Sequence, residues 1–144
     1  MKVILLAAGK GSRLKLKKKT PKSLFTYQNV TILERLIDQL FKNNITNISL
    51  VTGYKKKEII NTIKKYKKKI NIVFNKFFEK DTNIYSAYLG IGNYNKDVLI
   101  LETDCVYDDK SFRKIFNQKK TCWYTIGKFN KDQVGGIIKK NNKN

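Results

Sequence analysis

Four short apolar runs, Val3–Leu6, Ile48–Thr52, Ile70–Phe74 and Val98–Leu101, recur along the chain with helical stretches between them. Runs of this length, closed by small or polar residues, read as buried strands. The intervening segments carry a different period. Thr31 opens a helix with Glu34 as its capping-box partner, and Ile32, Leu33, Leu36, Ile37, Leu40 and Phe41 follow at helical spacing. Ile59, Ile60, Ile63 and Tyr66 mark one face of a second helix whose other face is lysine. A third is expected from a cap at Asp81 or Thr82 to about Gly92, with Ile84, Ala87, Tyr88 and Ile91 turned inward. Phe112, Ile115 and Phe116 mark a short fourth helix, and further strands are expected near Cys122–Ile126 and Val134–Ile138. Strands and helices alternating roughly every 20–30 residues imply an α/β domain with a mostly parallel sheet. No repeat or linker divides the 144 residues, so one domain is expected.

The net charge of +20 admits nucleic acid, an anionic membrane or phosphate-rich substrates as partners. The kind of base narrows this. Only Arg13, Arg35 and Arg113 among the 31 basic residues are arginine, and it is arginine whose planar fork suits base edges. A Lys/Asn/Ile bias is also what an AT-rich genome produces without selection for binding. With no arginine-rich helix and no aromatic RNA-binding signature, no specific nucleic acid is expected. The runs Lys55–Lys57 and Lys64–Lys69 read as a solvated helix face. Histidine is absent, which excludes histidine acid–base chemistry and His-ligated zinc. Cys105 and Cys122 are too far apart for a paired motif; as two free, buried thiols they fit a reducing cytoplasm. Val3–Ala8 is too short for a signal-peptide core, and no stretch approaches a membrane span, so no membrane partner is expected.

In open α/β sheets ligands bind at the carboxyl ends of the strands. After the first strand comes Leu6-Ala7-Ala8-Gly9-Lys10-Gly11-Ser12-Arg13-Leu14. Glycines let the backbone approach a phosphate, and successive N–H groups cradle its oxygens. Arg13 adds a charged fork, and Lys15–Lys19 a positive field. Leu14 stands where a dinucleotide fingerprint needs its third glycine, and the Gly-Lys-Ser/Thr of a P-loop is missing. The loop is followed by Thr20-Pro21-Lys22-Ser23-Leu24, where the chain's one proline stiffens the segment presenting Lys22. An ammonium beside a triphosphate can neutralise charge that develops as the α-phosphorus is attacked. Asp104, after the fourth strand, can hold Mg²⁺, a hard cation bound by one or two carboxylates plus phosphate oxygens. It also reads as an acidic turn residue, with Asp108 and Asp109 close by.

Leu-Ala-Ala-Gly-Lys-Gly-Ser-Arg-Leu followed by Pro-Lys-Ser-Leu resembles the signature of the sugar-phosphate-type nucleotidyltransferases. Val73-Phe74-Asn75, Asn83-Ile84-Tyr85-Ser86 and Leu99-Ile100-Leu101-Glu102-Thr103-Asp104 resemble their choline-phosphate and aminoethylphosphonate cytidylyltransferase branch. The resemblance runs from Met1 to about Ile138 and implies a Rossmann-like three-layer sandwich of the nucleotide-diphospho-sugar transferase type. It implies transfer of CMP from CTP to a small phosphorylated acceptor, with Mg²⁺ as cofactor; a sugar 1-phosphate acceptor and a non-catalytic nucleotide-binding protein are the alternatives. Carried over, Ala7, Ala8, Gly9 and Gly11 line the nucleotide, Arg13 and Lys22 hold its phosphates, Asn83 and Ser86 face base or ribose, and Asp104 binds the metal. Family members run longer, and their later part supplies a second Mg²⁺ carboxylate and much of the acceptor pocket. The expectation is therefore a truncated chain, or one completed by a homo-oligomer or second chain; Asp132 is a candidate replacement with nothing to favour it.

Overall fold

The computed structural model describes residues 1–11, 20–80 and 83–117. The four apolar runs become strands of one wholly parallel sheet: β1 (Lys2–Ala7), β4 (Ile48–Thr52), β5 (Asn71–Phe74) and β6 (Val98–Glu102), in the order β5-β4-β1-β6. The register sets Leu6 between Val51 of β4 and Glu102 of β6, so three strands end at one level. A two-stranded ribbon, β2 (Thr26–Tyr27) and β3 (Val30–Thr31), lies outside this sheet. Gln28 and Asn29 turn it with φ of 51° and 59°, the left-handed backbone a two-residue hairpin needs.

Alternation along β1 divides the core. Val3, Leu5 and Ala7 face one side with α1 (Ile32–Lys42), Ile59 of α2 (Lys56–Thr62) and Phe112 of α4 (Asp109–Phe116). Ile4 and Leu6 face the other, against Val51 and against Ala87 and Ile91 of α3 (Ile84–Ile91). Helices on both faces of a parallel sheet make the expected α/β sandwich. Full burial of each such aliphatic side chain is worth about 1.5–3 kcal/mol.

α1 matches its sequence pattern closely. Thr31 Oγ1 accepts from the Glu34 N–H at 3.1 Å, the Glu34 carboxylate accepts from the Thr31 N–H at 3.3 Å, and Leu33, Leu36, Ile37 and Leu40 are buried. The second helix is shorter than its pattern and continues as a 3₁₀ segment over Lys64–Lys69. Ile59, Ile63 and Tyr66 are buried while Lys64, Lys65, Lys67, Lys68 and Lys69 are exposed, as the solvated-face reading requires.

α3 departs from expectation. Ile84 and Tyr88, expected inside, are 77% and 66% exposed. The helix instead descends on its Ser86–Gly90 side: a Cβ at Gly90 would lie 2.5 Å from Ile4 Cγ2 and 3.0 Å from Val51 Cγ2. That close approach outweighs the burial of larger side chains further round the helix. Its N-cap is Asn83; Asp81 and Thr82 lie outside the described residues, as do the strands expected near 122–126 and 134–138, Cys122 and Asp132. No helix among the described residues is long and apolar enough to cross a membrane.

Burial pushes the Glu34 carboxyl up, but the hydrogen bonds from Thr31 and the Lys65 ammonium outweigh it and leave the group below its ordinary value. A lowered carboxylate stabilises the fold above its unfolded pKa and stops doing so as the pH falls through its folded value. Thr31→Ala is expected to cost about 1 kcal/mol at neutral pH and less in acid, read from urea denaturation midpoints at both pH values.

Candidate functional site

β1 stops at Ala7, and the chain must leave the sheet without stranding its last carbonyls. Ala8, 5% exposed, stays beneath the surface with its carbonyl accepting from the Tyr54 N–H at 3.0 Å. Leu6's carbonyl accepts from the buried Thr103 hydroxyl at 2.7 Å. With the strand end tied from both sides, Gly9, Lys10 and Gly11 rise over a cleft of about 530 Å³. Gly11 turns at φ +63°.

Lys22 comes to this cleft from a single 3₁₀ turn, Lys22–Leu24, that begins after the buried Pro21 and closes with Leu24 N–H donating to the Pro21 carbonyl at 2.9 Å. Its alkyl stem passes under Gly11, where a Cβ would lie 3.3 Å from Lys22 Cγ. Its Nζ sits 3.4 Å from Asp104 Oδ2, both side chains being about one-third exposed. Asp108 does not belong to this group. Its carboxylate caps α4, accepting from the Lys110 and Ser111 N–H groups at 3.0 and 2.9 Å, which holds it below the usual aspartate value. Asp109 accepts from the Gln39 amide at 2.9 Å. Asp108 and Asp109 are thus engaged at the start of α4, while Asp104, in the turn after β6, lines the cleft.

The far wall is the turn after β5. A Cβ at Gly53 would lie 2.5 Å from Phe78 Cβ and 2.7 Å from the Ala8 carbonyl oxygen, so this turn rests directly on the loop's base. Lys10 reaches over Phe78, 5.8 Å from its ring centre, to Glu79 at 2.6 Å. That hydrogen bond and the lysine's charge hold Glu79 below its ordinary pKa.

Ala7, Gly9, Gly11, Lys22, Asn83 and Asp104 therefore line one cleft. Ala8 lies just beneath it. Ser86 is 1% exposed and accepts from the buried Asn75 amide at 3.0 Å, tying α3 to the end of β5 behind the wall. Arg13 and Lys15–Lys19 lie outside the described residues. Cys105, expected buried, is exposed, because it follows Asp104 in the turn that leaves the sheet.

Sequence reasoning passed over Glu102. The last residue of β6, it lines the cleft and accepts from the Asn83 amide at 3.0 Å. Burial first, then the neighbouring Asp104 carboxylate, raise its pKa, with Lys22 opposing. Strand alternation was the available signal: Leu101 points into the α1-side core, so Glu102 must point to the other face.

A family model described as "Domain of unknown function (DUF6564)" matches residues 18–128. The choline-phosphate cytidylyltransferase of Haemophilus influenzae is 34% identical over 113 residues, spanning 78% of this chain and 47% of that protein. The bifunctional protein GlmU of Methanococcus aeolicus is 30% identical over 145 residues, 100% of this chain and 34% of its own length. Among solved structures, the CTP:phosphocholine cytidylyltransferase (LicC) of Streptococcus pneumoniae superposes with a TM-score of 0.63 at 30% identity, over 72% of this chain and 44% of that one. The chain spans less than half the length of each.

Two glycines separate packed backbone from the open cleft. Gly53→Ala drives a methyl into backbone and is expected to lose about 1–3 kcal/mol. Gly9→Ala meets nothing within 4 Å and is expected to keep its denaturation midpoint close to that of the parent protein. Equal losses in the two variants would contradict this packing.

Proposed function

We propose that this chain, which belongs to the family described as "Domain of unknown function (DUF6564)" and is similar to cytidylyltransferases over part of their length, binds CTP with Mg²⁺ and transfers CMP to a small phosphorylated acceptor such as phosphocholine or aminoethylphosphonate. The observation that carries this reading is the pairing of Lys22 with Asp104 beneath the glycine loop, 3.4 Å apart. A cation for phosphates and a carboxylate for a metal share one cleft at the carboxyl ends of β1 and β6.

In this reading the N–H groups of Gly9, Lys10 and Gly11 receive the triphosphate. Lys22 turns from Asp104 to the phosphate oxygens, guided by the stem contact with Gly11. The donor chemistry at Asp104 fits Mg²⁺, a hard ion that takes one or two carboxylates and completes its shell with phosphate and water oxygens. When bound, Mg²⁺ supplies charge neutralisation along the triphosphate. An acceptor phosphate or phosphonate oxygen attacks the α-phosphorus. The new P–O bond forms as the α–β bridging P–O bond breaks, and its electron pair leaves on pyrophosphate. Lys22 stabilises the charge that accumulates there, and positioning does most of the work. Arg13 is the second candidate for the phosphates.

The match to GlmU along the whole chain favours a second reading, in which the acceptor is a sugar 1-phosphate; comparing acceptors at fixed CTP separates the two. A nucleotide-binding protein without turnover would bind CTP and release no pyrophosphate.

The direct test is a thermal-shift titration with CTP, UTP, GTP and ATP, each with Mg²⁺. A nucleotide at 100 times its dissociation constant adds about 2.7 kcal/mol of stability. A selective rise with CTP that Lys22→Ala abolishes is expected, and the same variant should lower pyrophosphate release by roughly 10²–10³. Equal small rises with every triphosphate, unchanged in Lys22→Ala, would mean that the lysine surface merely collects anions.

A further inference from the structure

Among the described residues two lysines line the cleft, and each already faces a carboxylate. Lys22 lies beside Asp104. Lys10 reaches from the loop after β1 to Glu79 in the turn after β5, with Nζ 2.6 Å from Oε1. In the sheet β4 stands between β1 and β5, so the Lys10–Glu79 pair passes over the end of β4 and spans that side of the cleft. Beneath it Phe78 is fixed: its Cβ fills the space beside Gly53, and its ring leans on that of Tyr54, with centroids 6.4 Å apart. The charged ends are held less firmly. The Lys10 and Glu79 side chains are 44% and 62% exposed. Lys10 also sits between Gly9, where a Cβ would meet nothing within 4 Å, and Gly11.

Glu79, Glu102 and Asp104 all line the cleft, so among the described residues its two ammonium groups face three carboxylates. A polyanion entering there is repelled unless a lysine exchanges its carboxylate for phosphate oxygens. Lys10 can make that exchange at small cost, because an exposed ion pair is weak and its neighbours in the loop are glycines. We propose that the Lys10 side chain binds polyphosphate and that Glu79 holds it in reserve, the pair forming a strap across the cleft that the incoming anion opens. This rests on the phosphate-loop reading above. It goes beyond it by giving Lys10 a side-chain contact with the ligand and Glu79 the role of limiting affinity.

The test is calorimetric titration of inorganic tripolyphosphate and of CTP, each with Mg²⁺, into the parent chain, Glu79→Gln, Lys10→Met and the double variant. Glu79→Gln removes the competing charge and keeps the side chain's size. It should tighten tripolyphosphate binding about two- to fivefold, the scale of an exposed ion pair. Lys10→Met, which keeps an unbranched stem, should weaken binding by at least as much. In the Lys10→Met background Glu79→Gln should then change little, because the strap is already gone. Glu79→Gln binding no tighter than the parent would overturn the proposal. So would a gain of full size in the Lys10→Met background, since that gain would be plain repulsion between Glu79 and the anion. Either result, with CTP bound by the parent, leaves the nucleotide site standing. Tripolyphosphate binding that responds as expected, with no binding of CTP, would sustain the strap and overturn the cytidylyltransferase reading instead. Failure of the parent to bind either anion would overturn both.

Discussion

The carboxyl edge of the sheet depends on what happens to backbone carbonyls where the ladder stops. A buried carbonyl left without a donor costs about 1–3 kcal/mol, and four parallel strands ending near one level present several at once. Four of them are met by neighbouring segments. Thr103's hydroxyl takes Leu6, the Tyr54 N–H takes Ala8, the Asn75 N–H takes Thr52, and the Thr52 hydroxyl takes Val73. These bonds join β1 to the turn after β6, to the loop after β4 and on to the turn after β5. The cleft's floor is thus assembled by the need to satisfy backbone, and the side chains that line it are set down at defined places as a consequence. Thr103 shows the coupling: its hydroxyl closes the end of β1 while its neighbours Glu102 and Asp104 enter the cleft.

The charge of +20 would strain a small domain if it were left bare. Among the described residues much of it has local company. Lys2, Lys56, Lys65, Lys69 and Lys76 lie over the rings of Tyr94, Phe74, Tyr66, Phe41 and Phe77, at 4.4–5.6 Å from the ring centres. Lysine stems so placed cover apolar surface while their ammonium groups stay hydrated. Such lysines act as the rim of the core, which agrees with a solvated helix face and needs no polyanion.

Legibility followed the strength of local physics. β4 could be read because five consecutive residues are buried, and α1 because its capping box and apolar stripe agree. The ribbon of β2 and β3 escaped notice because Gln28-Asn29 lacks the glycine that usually marks a two-residue turn. α3 was placed with the wrong inner face: its approach is set by a missing side chain at Gly90, and periodicity weighs side chains that are present. That Gly9, Gly11, Lys22 and Asp104 gather at one edge of the sheet could be read from the glycine loop, the proline turn and the end of the fourth apolar run. That Glu102 lines the cleft and Ser86 lies behind its wall was not legible, because their partners Asn83 and Asn75 are distant or cryptic in sequence. Which polar pairs form is decided by how α3 packs, and only the fold shows that.

The Lys22–Asp104 pair has to be weak for the proposed reaction to run. Both side chains are about one-third exposed and 3.4 Å apart, and an exposed pair of this kind is worth roughly 0–1 kcal/mol. A triphosphate with its metal ion offers each partner a stronger counter-charge, so the exchange costs little. In the meantime the pair keeps two opposite charges at the mouth of the cleft without collapsing it. Lys22's stem is fixed by Gly11 from above and by Pro21 behind, so only the terminal ammonium needs to move. Asp104 is placed by Thr103, whose hydrogen bond to Leu6 owes nothing to charge. Position is therefore set by neutral contacts and the ion pair contributes little to it, which lets a ligand replace the pair without disturbing the sheet edge beneath.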